Sequence, residues 1–128
     1  MAGLTDLEWL NLDRTAVTGR GLGKLVGCQH LRSLSLGGCP VTDSSLAEIS
    51  ELRGLTHLSL GKSKVTDRGM ANVASLSHLE ELELYGLGVT DAGVRELAAL
   101  GRLRSLTLWD TKVTDAGLRT LAEPYTRL

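Results

Sequence analysis

Ser33, His57 and Glu81 are the residues whose types and spacing could do chemistry. They stand 24 positions apart, in the order of a nucleophile, a base and an acid that orients the base. That set activates a serine hydroxyl for attack on a carbonyl. Such attack also needs donors placed for the oxyanion and a site closed to water, and no motif here supplies either. A metal site is not expected: Cys28 and His30 form a lone pair with no second half, and His78 lies two spacings beyond His30. Leu36-Gly37-Gly38-Cys39-Pro40 is glycine-rich but lacks the lysine of a phosphate-binding loop. No catalytic residue, cofactor or metal ligand is therefore expected, with a serine hydrolase-like site at Ser33, His57 and Glu81 kept as a distant alternative.

The same spacing governs almost every other residue. Leu7, Leu31, Leu55, Leu79 and Leu103 follow one another at 24 residues, and each opens the phrase L-x-x-L-x-L. A small polar residue and V-T-D-x-G come next. A fixed period of this length is the mark of a solenoid, in which one supersecondary unit stacks on its neighbours. Within the phrase, leucines alternate with variable residues, the period of a strand. Thr42, Thr66, Thr90 and Thr114 are placed as helix N-caps, and Asp43, Asp67, Asp91 and Asp115 fall near the positive end of each helix dipole. The first repeat has Thr18-Gly19 and lacks the acid. Apolar stripes such as Leu46, Ile49 and Leu52, or Val94, Leu97 and Leu100, turn each helix onto the strands. Gly21, Gly69, Gly93 and Gly117, with Ser45 as the exception, are expected to let a neighbouring element approach closely. The chain is expected to form an α/β solenoid, a horseshoe with a parallel sheet on the concave face and helices on the convex face. One domain, 1–128, would hold five repeats at 7–30, 31–54, 55–78, 79–102 and 103–126.

Residues 1–6 read as the remnant of a preceding repeat or cap, with Leu4 at the position of Leu52, Leu76 and Leu100. Pro124 replaces that leucine at the other end and is expected to stop the last helix. The open first strand is an edge where self-association is expected. Thr126-Arg127-Leu128 has the form of a carboxy-terminal ligand for PDZ domains.

The phrase L-x-x-L-x-L-x-x-(T/C/S)-x-V-T-D-x-G-L closely resembles the leucine-rich repeat, specifically the ribonuclease-inhibitor-like and cysteine-containing group, although these repeats are shorter than is usual for the former. The resemblance covers nearly the whole chain. It implies an intracellular protein-recognition module, such as a substrate-receptor or adaptor arm, although the F-box of one such pathway is absent.

Bulk properties agree with that expectation. With 14 basic against 15 acidic residues, the chain carries no footprint for nucleic acid or an anionic membrane. No apolar run reaches the ~20 residues of a membrane helix. Cys28 takes a leucine position and Cys39 the small polar position, so neither reads as half of a disulfide. A cytoplasmic location is expected.

Variable strand positions should form columns across the sheet, because adjacent strands lie ~4.8 Å apart. One column is Trp9, Ser33, His57, Glu81 and Ser105, and the next is Asn11, Ser35, Ser59, Glu83 and Thr107. A third is Asp13, Gly37, Gly61, Tyr85 and Trp109, with Arg14, Gly38, Lys62, Gly86 and Asp110 beyond it. Three of the four aromatics of the chain fall here, where a contact surface would use them. Tyr85, Trp109, Glu81, Glu83 and Asp110 are expected to make an acidic, aromatic corner for a basic protein segment. Ser33, Ser35, Gly37, Gly38, Ser59 and Gly61 are expected to leave nearly bare backbone beside it. The patch is only ~350 Å² on strand spacings, well below the ~800 Å² per partner of a standard interface. It suits a short segment. A self-assembling structural block is the alternative to a protein-recognition scaffold.

Overall fold

Each L-x-x-L-x-L phrase forms one short strand, and the parallel sheet follows from stacking the phrases in register. The computed structural model describes residues 5–122. Leu4, Pro124 and the tail Thr126-Arg127-Leu128 lie outside the described residues. The strands are β1 (Trp9–Asn11), β2 (Ser33–Ser35), β3 (His57–Ser59), β4 (Glu81–Glu83) and β5 (Ser105–Thr107). They pair in chain order, all parallel. Leu10, Leu34, Leu58, Leu82 and Leu106 align across the sheet, so the period of the sequence becomes the register of the ladder. Hydrogen bonding continues past the strands: Arg14 N donates to Gly37 O at 2.8 Å, Gly38 N to Gly61 O at 2.8 Å, Lys62 N to Tyr85 O at 2.8 Å and Gly86 N to Trp109 O at 3.0 Å.

Leu34, Leu58 and Leu82 are fully buried against Leu46, Ile49, Met70, Val73, Val94 and Leu97 of the helical layer. Leu10, Leu12, Leu106 and Leu108, on the outer strands, pack on this core but are only partly buried, since each has one neighbouring repeat. Leu87, which breaks the small polar pattern, is itself buried in the core. Cys39 is buried with its Sγ donating to Leu12 O at 2.9 Å. Cys28 is half-buried, and both thiols are free.

The helical layer comprises α1 (Asp43–Ile49), α2 (Met70–Ala74), α3 (Asp91–Glu96) and α4 (Asp115–Ala122), with 3-10 turns before α2 and after α3. The first repeat departs from expectation and forms a 3-10 helix, Leu22–Gly27. Gly19 and Gly21 take φ of 95° and 84° there, glycine disfavours helix by ~1 kcal/mol per residue, and Gly21 does not serve close approach, since a Cβ on it would meet nothing within 4 Å. No acid stands in its first turn. Thr66, Thr90 and Thr114 cap as the sequence predicts, their hydroxyls accepting from the amides of Arg68, Ala92 and Ala116 at 3.3–3.4 Å. Thr42 makes no such bond; its hydroxyl lies instead at 3.0 Å from Ser44 and 3.3 Å from Ser45.

The aspartates do more than complement a dipole. Asp43 accepts from the amide of Thr66 at 2.8 Å and from its hydroxyl. Asp67 does the same with Thr90, and Asp91 with Thr114. Each carboxylate thus latches one repeat to the cap of the next. The glycine of V-T-D-x-G makes room for it: a Cβ on Gly69, Gly93 or Gly117 would stand 2.7, 2.2 or 2.4 Å from the latching carboxylate oxygen. At the first junction the roles are exchanged. Gly19 replaces the acid and Ser45 the glycine, with Ser45 Oγ donating to Thr18 O at 2.6 Å.

Candidate interaction surface on the sheet

The register places the four columns side by side on the face opposite the helices, and the side chains on it fall into three groups. The first is the row that resembled a catalytic set. His57 Nε2 lies 3.5 Å from Glu81 Oε2, and Nδ1 lies 2.7 Å from the Thr56 hydroxyl. Nε2 thus faces Glu81 and Nδ1 faces Thr56, and no hydrogen bond joins His57 to Ser33 among the described residues. The three residues are neighbours, as their spacing implies, with His57 turned toward Glu81 and Thr56. Ser33, Ser35, His57, Ser59, Glu81 and Glu83 line a depression of about 140 Å³, with Ser59 buried in its floor.

The second group is local scaffolding. Asn11 Oδ1 accepts from the Asp13 amide at 2.9 Å. Asp13 Oδ1 accepts from Ser35 Oγ at 2.5 Å and from the Gly37 amide at 2.8 Å. Asp13 and Ser35 therefore tie the first repeat to the second, and Asn11 orders the turn after β1.

The third group is aromatic. Tyr85 and Trp109 stack with ring centroids 4.7 Å apart and planes 10° from parallel. Tyr85 is bedded on Gly61: a Cβ there would stand 2.2, 2.3 and 2.4 Å from Cζ, Cε1 and Cε2. Distances so nearly equal to three adjacent ring atoms place that Cβ direction against the face of the ring. The phenol oxygen reaches Gly37, 2.9 Å from where a Cβ would be. The glycines expected to leave bare backbone are thus a bed for Tyr85, and Gly37 and Gly61 are both buried. Trp109 remains 57% exposed and Trp9, four strands away, 77%. Trp9 takes no part in the corner.

Glu83 and Asp110 are exposed, two residues before Tyr85 and one after Trp109, while exposed Glu81 stands further back on β4 against His57; Ser105 is exposed and Thr107 half-buried on β5. Lys62, which the spacing places in the outermost column but not in the acidic, aromatic corner, reaches that corner, its Nζ 5.9 Å from the Trp109 ring centroid. The signal for it is the glycine at position 86: the Lys62 side chain lies over Gly86, where a Cβ would stand 2.8 Å from its Cγ. Arg14 lies over Gly38 in the same way, at 3.3 Å. Arg14, Lys62 and Asp110 all take φ of 56–58°, the left-handed region, at the position where Gly38 and Gly86 take φ of 75° and 71°.

The fold and this surface define a repeat solenoid with an open sheet face. A family model described as Leucine Rich repeat matches residues 27–50. Among solved structures the chain is similar to an internalin C2 from Listeria monocytogenes str. 4b F2365, with 28% identity and a TM-score of 0.72 over 94% of this chain and 50% of that one. It is also similar to an internalin (inlF) from the same organism, with 18% identity and a TM-score of 0.44 over 95% of this chain and 47% of that one. The chain spans about half the length of these two structures. No curated protein matches the sequence. The chain folds as a leucine-rich-repeat solenoid. Among the described residues, no helix is long and apolar enough to cross a membrane, and no group of three or more His, Cys, Asp or Glu could hold a metal ion.

Proposed function

We propose that the sheet face recognises a protein segment bearing an arginine or lysine, with Trp109 as its anchor. The observation that carries this reading is the layered arrangement Gly61–Tyr85–Trp109. Tyr85 is bedded on the backbone and Trp109 stacks on it, so a large exposed indole is held by its neighbours before any partner arrives. An aromatic group held in advance loses little freedom on binding, which is why such residues anchor interfaces. An arginine side chain laid on the indole gains ~0.5–2 kcal/mol from the ring, and Glu81, Glu83 and Asp110 supply the opposite charge. The small area of the face suits a single extended segment, as in an adaptor or substrate receptor inside the cell.

The test is capture from native cell extract by the wild-type chain and by a Glu81→Lys, Trp109→Ala variant with the same circular dichroism. Partners held by the wild type and lost from the variant are the expected result. Equal capture by both would overturn the assignment to this corner.

A further inference from the structure

Beside the aromatic corner lies a second groove, of about 340 Å³, lined by Asp13, Arg14, Gly37, Gly38, Lys62 and Tyr85. We infer that this groove binds a carboxylate, the aspartate or glutamate side chain of the same protein segment whose basic residue sits on Trp109. The inference deepens the proposed function and rests on it for the identity of the partner.

Three observations support it. First, Arg14 and Lys62 are exposed, and among the described residues neither has a carboxylate within ion-pairing distance. Arg14 leans over Gly38, in the repeat between them, which adds no side chain of its own, so Arg14 and Lys62 line the groove from backbones about 10 Å apart, two strand spacings. Second, the one acid of the groove, Asp13, already accepts from Ser35 and Gly37. The Tyr85 hydroxyl also reaches the groove at Gly37. A guanidinium, an ammonium and a phenol hydroxyl are donors suited to a carboxylate. Third, Arg14 and Lys62 hold a left-handed backbone that glycine adopts freely at the same position of two other repeats. Long side chains kept where glycine would be relaxed point to a use for those side chains.

The geometry also sets a spacing. The groove lies about two strand spacings from Glu83 and about two residues along the strand, a diagonal of roughly 12 Å. Three to four extended residues cover that distance. A basic residue arriving on Trp109 would take the ring beside which Lys62 now sits, leaving the Lys62 ammonium to face the incoming carboxylate. The two ends of the segment would then help each other to bind.

The test uses N-acetylated, amidated pentapeptides and amide chemical shifts of the whole chain. Arg-Gly-Ser-Gly-Glu and its reversed order are compared with the control Arg-Gly-Ser-Gly-Gly. One of the two orders should bind roughly three- to tenfold tighter than the control at low salt, moving the amides of Gly37 and Gly38. Arg14→Gln should erase that gain while the Trp109 indole still responds to the control peptide, and Arg14→Lys should restore part of it. Glutamate that gives no gain in either order, or a gain that survives Arg14→Gln, overturns the inference. Failure of the parent reading looks different: the control peptide would leave the Trp109 indole unmoved. Gly-Gly-Ser-Gly-Glu then decides alone, supporting the carboxylate groove if it shifts Gly37 and Gly38 through Arg14, and overturning it if it does not.

Discussion

Exchanging the latch at the junction of α3 with the preceding repeat should reproduce the first junction of the chain. Asp67 accepts from the amide of Thr90 at 2.8 Å and from its hydroxyl, over the space left by Gly93. In Gly93→Ser the new Cβ would stand 2.2 Å from Asp67 Oδ1 and 3.1 Å from Met70 Cγ, so the carboxylate must swing away. Hydrogen bonds to a charged group contribute ~1.5–3 kcal/mol each when buried. Asp67 is half-exposed, so the pair together is put at about 2 kcal/mol. Serine returns ~0.5 kcal/mol of helix preference over glycine, leaving a net loss of roughly 1.5 kcal/mol. Asp67→Gly forfeits the same bonds and adds a glycine to the helix start, a loss of roughly 2.5 kcal/mol. In the double variant nothing occupies the space of the introduced serine, and its hydroxyl can donate to Thr66 O as Ser45 donates to Thr18 O at 2.6 Å. The loss should be only ~1.5 kcal/mol, against ~4 kcal/mol for independent sites. Urea unfolding of the four proteins by far-ultraviolet circular dichroism resolves that coupling, since about 2 kcal/mol moves a midpoint by about 1 M. Losses that add to within ~0.5 kcal/mol would refute the reasoning.

Acid should act on the last of these latches. Hydrogen bonds from the Thr114 hydroxyl, and then from its amide, hold the Asp91 carboxyl below its ordinary value of 3.8. A lowered folded pKa stabilises the fold above the unfolded value and ceases to do so as pH falls through the folded one; Asp91→Asn should therefore show a shallower loss of stability than wild type below about pH 4 in acid titrations. Arg14→Gly should raise stability by ~1 kcal/mol, because φ of 58° strains arginine and not glycine, and a loss in urea unfolding would contradict the strain. Gly61→Ala should lift Tyr85 off its bed at a cost of about 1 kcal/mol, with the near-ultraviolet signal of the Tyr85–Trp109 stack diminished; an unchanged spectrum would count against the layered arrangement.

Sheet and register were legible because the 24-residue spacing fixes which residues lie beside one another. Ser33, His57 and Glu81 became neighbours for that reason alone, and the same knowledge could not say which way each side chain turns. The orientation of His57 depended on Thr56, a residue outside the columns. The latch was missed because Asp67 and Thr90 stand 23 residues apart in two copies of a motif that each looks complete in itself. Its trace was nevertheless present in the paired exceptions, Gly19 without the acid and Ser45 without the glycine. The bed beneath Tyr85 was hidden differently: glycines at 37 and 61 read as absence, whereas their missing side chains are the space the ring occupies. The 3-10 helix of the first repeat follows from local glycines that a pattern of leucines does not register.

The exchange of Gly19 and Ser45 for an acid and a glycine also gives the array a grammar. A repeat that carries the acid fits best before one that offers glycine, so copies of the units beginning at Leu55 or Leu79 could be duplicated or deleted without disturbing a junction. The unit beginning at Leu31 is different: its serine suits only a predecessor like the first. Moved behind any other repeat, that serine would meet a carboxylate. Repeat order in this chain is therefore constrained from within, and growth by internal duplication is open on one side of that junction and closed across it.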